Sequence, residues 1–430
     1  MIPLEQVSDF KRSLIQFTKV KAPVSFPETL DTSRYQFSLL SSYKVDGIYQ
    51  LAEVDSSKIL AIDRFSGDFF SFRLGGKTPD RKYLGNVFDS LGFLRNSSES
   101  IENYKIDKAG NRKSQNPKIF ATAFDLDYAF NRVYLSITLP SDDQSCTSLQ
   151  LYSFKLPTSN TNPIENVSQL FQSPCVLDKK NPTMWGGRIT HSKSHLYLSI
   201  GDQRYDPSGF PKTDLLSIAE IDNSNSVFGK ILKFTPGNVT YEIFSSGHRN
   251  AQGLFFSMDE NILVESEHGP FGGDEVNFIS RGKHYGWPFR TFGKPYGLFE
   301  TGNVLDEFRS VNPSAAIDLN LAKFGASSGT HQGYQIPVYS WVPGIGASNI
   351  MQIQRDSSFM DWRSNLLVAG MVDGAMYRLI LSKESVVATE RIATGFRIRD
   401  FIVSDEGLLI LSSDEGRLLF YQSTHPQLQN

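Results

Sequence analysis

From Tyr35 onward the chain alternates short apolar runs with tight polar turns, and this rhythm limits the fold more than any other feature. The runs GIYQLAEV (47–54), KILAID (58–63), DFFSFRL (68–74), RVYLSITL (132–139), LQLYSFKL (149–156), HLYLSI (195–200) and KILKFTP (230–236) are rich in β-branched and aromatic residues. So are LLVAG (366–370), AMYRLIL (375–381), DFIVS (400–404), LLILSS (408–413) and RLLFYQS (417–423). Runs this short read as strands, because an amphipathic helix needs a longer stretch with a 3.6-residue period. DSSK, RFSGD, MVDG and SDEG lie between them. Gly takes positive φ freely, and Asp and Ser bond their own backbone, so such stretches turn the chain tightly.

Many small antiparallel units with loose self-similarity predict an all-β, six-bladed β-propeller, an arrangement that leaves only short, protected sheet edges. Six blades give roughly fifty to seventy residues each, above the usual period of about 40–50. The excess falls in long inserted loops, 76–118 and 290–335, expected to cover one face and build a site there. A pair of β-sandwiches is the competing architecture. The predicted layout is an N-terminal extension over 1–33 that opens as a polar helix, one propeller domain over 34–424, and a tail over 425–430.

Composition narrows the function class. Hydrophobic residues make up 40% and charged residues 21%, with a net charge of −3 and no block of one sign. That excludes a nucleic-acid or polybasic membrane surface, and no run of eighteen apolar residues predicts membrane insertion. MIPLEQVSDFKRSLIQF lacks the apolar core and cleavage site of a signal peptide, so the expectation is a cytoplasmic protein or one whose leader is removed. Cys146 and Cys175 flank LQLYSFKL and VSQLFQS (167–173). If those runs pair antiparallel, the cysteines meet at the open end, which allows a disulfide and an oxidising compartment. Two buried free thiols are the equal alternative. Sequons at Asn96, Asn166 and Asn238 matter only on a secretory route.

The densest chemistry lies between Gly247 and Pro288. GHRNAQGLFF (247–256) places a cation and an amide in one glycine-bearing loop, and EHGPFGGDEVNFISRGKHYGWP (267–288) follows a short strand, NILVESE. Gly269-Pro270 and Gly272-Gly273 force an open backbone whose carbonyls can face a hard cation. Asp274, Glu275 and Asn277 add side-chain oxygens for the loop or a metal. The bland reading is a turn network in which Arg249 pairs with Glu275 or Asp274.

These two segments resemble the signature of the glucose/sorbosone dehydrogenase family, six-bladed propellers that include soluble PQQ-dependent aldose dehydrogenases. The similarity extends to WGGRI (185–189), LYLSIGDQ (196–203), PVYSWVPGIGASNI (337–350), LLVAGMVDGAMYRL (366–379) and FRIRDF (396–401), with a fainter match at FATAFDLDYAFNRVYL (120–135). Together these span roughly residues 115–420. The resemblance implies PQQ and Ca²⁺ as cofactors. It places Arg249 and Asn250 over the cofactor plane, Arg397 and Arg399 on its carboxylates, Trp341 in the pocket wall, and the Gly269 and Pro270 carbonyls on the calcium. Asp202 and Arg249 are its implied catalytic residues, Asp202 matching the acid that orients a catalytic histidine. It further implies a sugar or alcohol substrate, a separate electron acceptor and a periplasmic or secreted location, and leaves homodimerisation open.

Three departures cut against activity. Where the dehydrogenases carry the base in H-x-[GS]-G-R, this chain has Met184. A thioether accepts no proton, and a positioned base contributes about 10²–10⁴-fold. The cofactor-contacting Lys falls on Val372, and a Gln/Glu-Gly position of the first blade reads Asn116-Pro117-Lys118. His191 and His195 lie at strand-entry spacing and do not replace the base. The alternatives are therefore a PQQ- and calcium-dependent oxidoreductase-like protein and a non-catalytic propeller that keeps the loop and pocket. A lactonase-like metal hydrolase is a third reading, without a clear ligand constellation.

Overall fold

The computed structural model describes residues 26–424 apart from 46, 77, 93–120, 144, 159–163, 178–183, 204–220, 222, 271, 288–289, 294–330, 332 and 406. β1 (Thr29–Asp31) and β2 (Gln36–Lys44) come first and belong to the last blade. Blade one is β3 (Tyr49–Asp55), β4 (Lys58–Asp63), β5 (Asp68–Arg73) and β6 (Asp80–Asn86). Blade two is β7 (Thr122–Ala129), β8 (Arg132–Pro140), β9 (Cys146–Phe154) and β10 (Ser168–Gln172), with β11 (Val176–Leu177) also on β9. Blade three is β12 (Gly186–His191), β13 (Leu196–Ile200), β14 (Lys230–Phe234) and β15 (Tyr241–Ser246).

Blade four is β16 (Ala251–Ser257), β17 (Ile262–Glu267), β18 (Asp274–Ile279) and β19 (Tyr339–Trp341). Blade five is β20 (Ala347–Gln352), β21 (Leu366–Gly370), β22 (Ala375–Ser382) and β23 (Ser385–Ala393). Blade six is β24 (Ile398–Val403), β25 (Leu408–Ser413) and β26 (Arg417–Thr424), completed by β2 and β1. The first strands, β3, β7, β12, β16, β20 and β24, neighbour one another in turn around the ring. The six-bladed propeller read from the sequence is the observed fold.

Two features differ from the expectation. β6 lies inside the predicted insert 76–118, because the first three residues of DRKYLGN are charged and exposed and the strand carries no apolar run. The GHRNAQGLFF loop ends at Asn250, and Asp274, Glu275 and Asn277 stand on a strand rather than in a loop. The proposed N-terminal helix and most of both inserts lie outside the described residues, as do Asn96 and Asn116-Pro117-Lys118. Of the two cysteine alternatives the disulfide is the one observed: Cys146 and Cys175 are joined, with Cα atoms 5.6 Å apart. β10 pairs antiparallel with β9, which brings the cysteines to the open end of that hairpin.

On the ring axis five inner strands each contribute a buried polar side chain. Arg188 of β12 lies 3.3 Å from Asp125 of β7 and 3.0 Å from Asp400 of β24, and it donates to Gln50 of β3 at 2.9 Å. Asn349 of β20 also donates to Asp400. Blade four contributes Gly253, where a Cβ would stand 2.8 Å from the Ile350 nitrogen. Burial drives the Asp125 carboxyl well upward, against the pull of Arg188.

At the other end of β3, burial first, then Asp405 and Asp55, push the Glu53 carboxyl up to about 7. A carboxyl whose folded pKa is raised costs stability as pH climbs from its unfolded value to its folded one. The cost is therefore absent near pH 4.5 and fully present near pH 8. Glu53→Gln should gain about 1–3 kcal/mol at pH 8, after allowance for partial solvent screening, and nothing at pH 4.5. Urea unfolding at the two pH values measures this, and equal stabilities at pH 8 would refute it.

Candidate active site

In an antiparallel blade the starts of strands one and three and the ends of strands two and four share one face of the ring. Every site residue expected from the sequence falls on that face. Arg249 and Asn250 precede β16, Asp202 follows β13, Gly269 and Pro270 join β17 to β18, Trp341 ends β19, and Arg397 and Arg399 open β24.

Arg249 is buried and turned to the β17–β18 loop. Its Nη1 donates to the carbonyls of His268 at 2.7 Å and Gly269 at 2.6 Å, and the guanidinium stands 5.4 Å from the Trp287 ring centroid. Its peptide N–H donates to Glu267 Oε2 at 2.6 Å. Asn250 bridges two blades, its Oδ1 accepting from the Gly186 N–H at 3.2 Å and from Gln252 Nε2 at 3.1 Å.

Asp274 holds the loop. It accepts from the Gly269 N–H at 3.0 Å through one oxygen and from the Gly346 and Ala347 N–H groups at 2.6 and 3.1 Å through the other. Gly269 has no room for a side chain, since a Cβ would meet the carbonyls of Gly272 and Gly273. Trp341 is packed edge-on against Tyr339 and Tyr377 between blades four and five, and its carbonyl takes the Gly273 N–H at 2.7 Å.

Across the mouth, Arg399 forks onto Asp414, Nε to Oδ1 at 2.8 Å and Nη2 to Oδ2 at 2.9 Å. Arg397 shares the same carboxylate through Nε at 3.0 Å and reaches the Met371 carbonyl through Nη1 at 3.1 Å. Burial opposes ionisation of Asp414, but Arg399 and then Arg397 hold its carboxyl down at about 2. Two cations on one anion leave this trio positive.

Sequence reasoning missed a further cation. Arg64, in the RFSGD turn after β4, is buried, donates from Nε to the Ala123 carbonyl at 3.1 Å and lies 5.0 Å from the Phe124 ring centroid. Burial and then the charge of Arg399 lower its guanidinium to about 9, so it remains a cation at neutral pH. The available signal was its position, the end of a second strand, equivalent to Asp202 in blade three.

The departures also have a geometry. Met184 precedes β12 with φ +73°, and its carbonyl accepts from Gln203 Nε2 at 2.8 Å. Next to Gln203 in the chain, Asp202 is 2% exposed and accepts from Trp287 Nε1 at 2.8 Å, a partner the sequence reading did not anticipate. Val372 is 59% exposed at the rim and brings no charge. His191, bonded to Asp127 at 2.7 Å, and His195 lie at the opposite face. His268 lies at this face, and its Nε2 has no hydrogen-bond partner.

The family model described as Glucose / Sorbosone dehydrogenase matches residues 118–420. The chain belongs to the glucose/sorbosone dehydrogenase family. Among curated proteins, this family member is 28% identical over 241 residues to "Aldose sugar dehydrogenase YliI" of Escherichia coli (strain K12), covering 55% of this chain and 59% of that protein. It is 45% identical over 62 residues to "Quinoprotein glucose dehydrogenase B" of Acinetobacter calcoaceticus, 14% of this chain and 13% of that protein. The alignments thus span less than two thirds of these relatives. Among solved structures, the soluble aldose sugar dehydrogenase from Escherichia coli in its apo-form superposes with TM-score 0.63 at 20% identity, over 91% of this chain and 99% of that one. The PQQ-bound aldose sugar dehydrogenase from Streptomyces coelicolor gives 0.58 at 18%, over 93% and 100%. At these identities the superpositions show a shared propeller fold.

Proposed function

We propose that the mouth binds a PQQ-type polycarboxylate quinone and that the chain is an oxidoreductase acting on a sugar or related alcohol. The observation that carries this reading is the Arg397–Arg399 pair on a single Asp414, with Arg64 beside it and Arg249 across the mouth. A guanidinium fork matches a carboxylate in two parallel hydrogen bonds, so either arginine can exchange Asp414 for a ligand carboxylate without losing geometry. When bound, PQQ supplies a two-electron acceptor. The chain's part is to fix it by its carboxylates, to hold Asp202 through Trp287, and to wall the site with Trp341.

Calcium enters this reading through the β17–β18 loop. Ca²⁺ takes six to eight oxygens, and the Gly269 carbonyl it would use is engaged by Arg249. Calcium binding therefore requires the guanidinium to swing out, toward the quinone edge that the family resemblance assigns to it. The disulfide supports a periplasmic or secreted location, and turnover requires a separate electron acceptor.

One observation favours the second reading, a non-catalytic binding propeller: at Met184 there is no group that accepts a proton. Titration of the purified protein with PQQ, with and without Ca²⁺, tests the proposal by the quinone absorbance and by dye-linked oxidation of an aldose panel. The expected result is a bound-quinone spectrum that Arg399→Ala weakens by roughly 10–100-fold, the effect of losing a charge-assisted contact. No spectrum in either buffer would overturn the reading, while a spectrum without turnover would establish the binding propeller.

A further inference from the structure

Beneath the mouth lies a second polar cluster, on the face of blade four turned to blade three. β17 and β18 set Glu265 opposite Asn277 and Glu267 opposite Glu275. Residues two apart share a face of a strand, so these four continue the row begun by Leu263 and Ile279, which pack with Tyr197, Ile231 and Tyr285. A row buried between two blades is ordinarily apolar to its end. Here its last four side chains are polar, and none is more than 4% exposed.

His248 reaches the same place from the linker between β15 and β16. It is 0% exposed and stacks on Tyr285 with ring centroids 4.9 Å apart. Its Nε2 lies 2.8 Å from Ser245 Oγ. Its Nδ1 has no hydrogen-bond partner and stands 3.8 Å from Glu265 Oε2, too far for a bond, while Glu265 Oε1 also has none. With Nε2–H given to the serine, Nδ1 turns a bare lone pair toward a carboxylate. A buried carboxylate is costly unless it is paired or ligates a metal.

We propose that His248, Glu265 and Glu267 form a buried site for a divalent transition-metal ion of the Zn²⁺ or Mn²⁺ class. One ligand atom from each lies within 4.8 Å of the others. Ligands about 2.0–2.2 Å from one ion stand roughly 3–4 Å apart, which the His248–Glu265 separation satisfies. An imidazole nitrogen beside carboxylates selects such ions over calcium, which prefers an all-oxygen set. The Ser245 hydroxyl fills the usual role of the outer partner that fixes a ligating histidine.

The neighbouring side chains differ in how they are engaged. Asn277 donates to Glu265 at 3.1 Å, Lys230 bonds the carbonyls of Ile221 and Phe228, and His331 stands 3.5 Å from Glu275. Since Glu267 also accepts the Arg249 peptide N–H, the ion would anchor the linker that delivers Arg249 and Asn250 to the mouth.

The test uses the full chain, stripped with EDTA and desalted, and titrated calorimetrically with ZnCl₂, MnCl₂ and CaCl₂, with Co²⁺ as an absorbance probe. About one Zn²⁺ or Mn²⁺ per chain should bind, and Co²⁺ should show visible d–d bands. Glu265→Gln keeps the shape and removes the charge; it should weaken binding roughly tenfold or more and abolish the bands. His248→Gln carries the same readouts if that variant does not fold. A protein that takes none of the transition ions, or Ca²⁺ alone, overturns the site. Binding that both variants leave unchanged overturns it equally.

Discussion

Met184→His should raise dye-linked aldose oxidation of the PQQ-loaded protein by about 10²–10⁴-fold, the usual contribution of a positioned base. The backbone accommodates the change, because Met184 lies at φ +73°, a region where histidine is more at ease than methionine. The Met184 carbonyl is bonded by Gln203, the residue after Asp202, and Trp287 fixes the Asp202 carboxylate at 2.8 Å, so Asp202 is the acid expected to orient an imidazole at 184. Its ring nitrogen would take the proton of the substrate hydroxyl, which a thioether cannot do. The gain should appear in kcat at an unchanged affinity for PQQ. A variant that binds PQQ as tightly as the parent and stays inactive would show that more than the base has been lost. If the parent already turns over, with no gain in the variant, another group such as His268 does the work.

The largest effect on stability is expected at the ring axis. Arg188→Met should cost about 3–5 kcal/mol, because it leaves Asp125 and Asp400 buried without their shared cation. Removing the charges together is a different matter. The triple variant Arg188→Met, Asp125→Asn, Asp400→Asn should recover much of the loss, since uncharged groups carry a smaller desolvation penalty. Chemical unfolding followed by tryptophan fluorescence compares the three proteins. A single variant within 1 kcal/mol of the parent would mean that the axis holds no net electrostatic strength.

The propeller was legible because its second strands are buried on both faces and written as apolar runs: KILAID, LLVAG and LLILSS became β4, β21 and β25. Outer strands were not legible. β23 carries SVVATERIA with most side chains exposed, so no burial forces an apolar pattern upon it. At the site, motif resemblance brought distant residues to one face, and the antiparallel order of the blades explains why that works. What it missed were contacts between motifs. Trp287 on Asp202, Asp414 under two arginines, and Arg64 beside them depend on blade-to-blade placement, which no spacing within one motif encodes. The Gly269 carbonyl was expected to be open to an ion, whereas the chain's own guanidinium meets it.

The closing blade has a consequence for how the protein is made. β2 pairs along Gln36–Lys44 with β26 at Arg417–Thr424, and Tyr35 and Phe37 share one core with Phe359, Trp362, Leu419 and Tyr421. During translation β2 leaves the ribosome long before its partner exists. Until then its buried face has no permanent cover, and the ring remains an open arc. Joining of the two distant strands is therefore the late, committing event of biogenesis. A chain released before residue 417 would be a ready client for chaperones or proteases rather than a slightly shortened propeller.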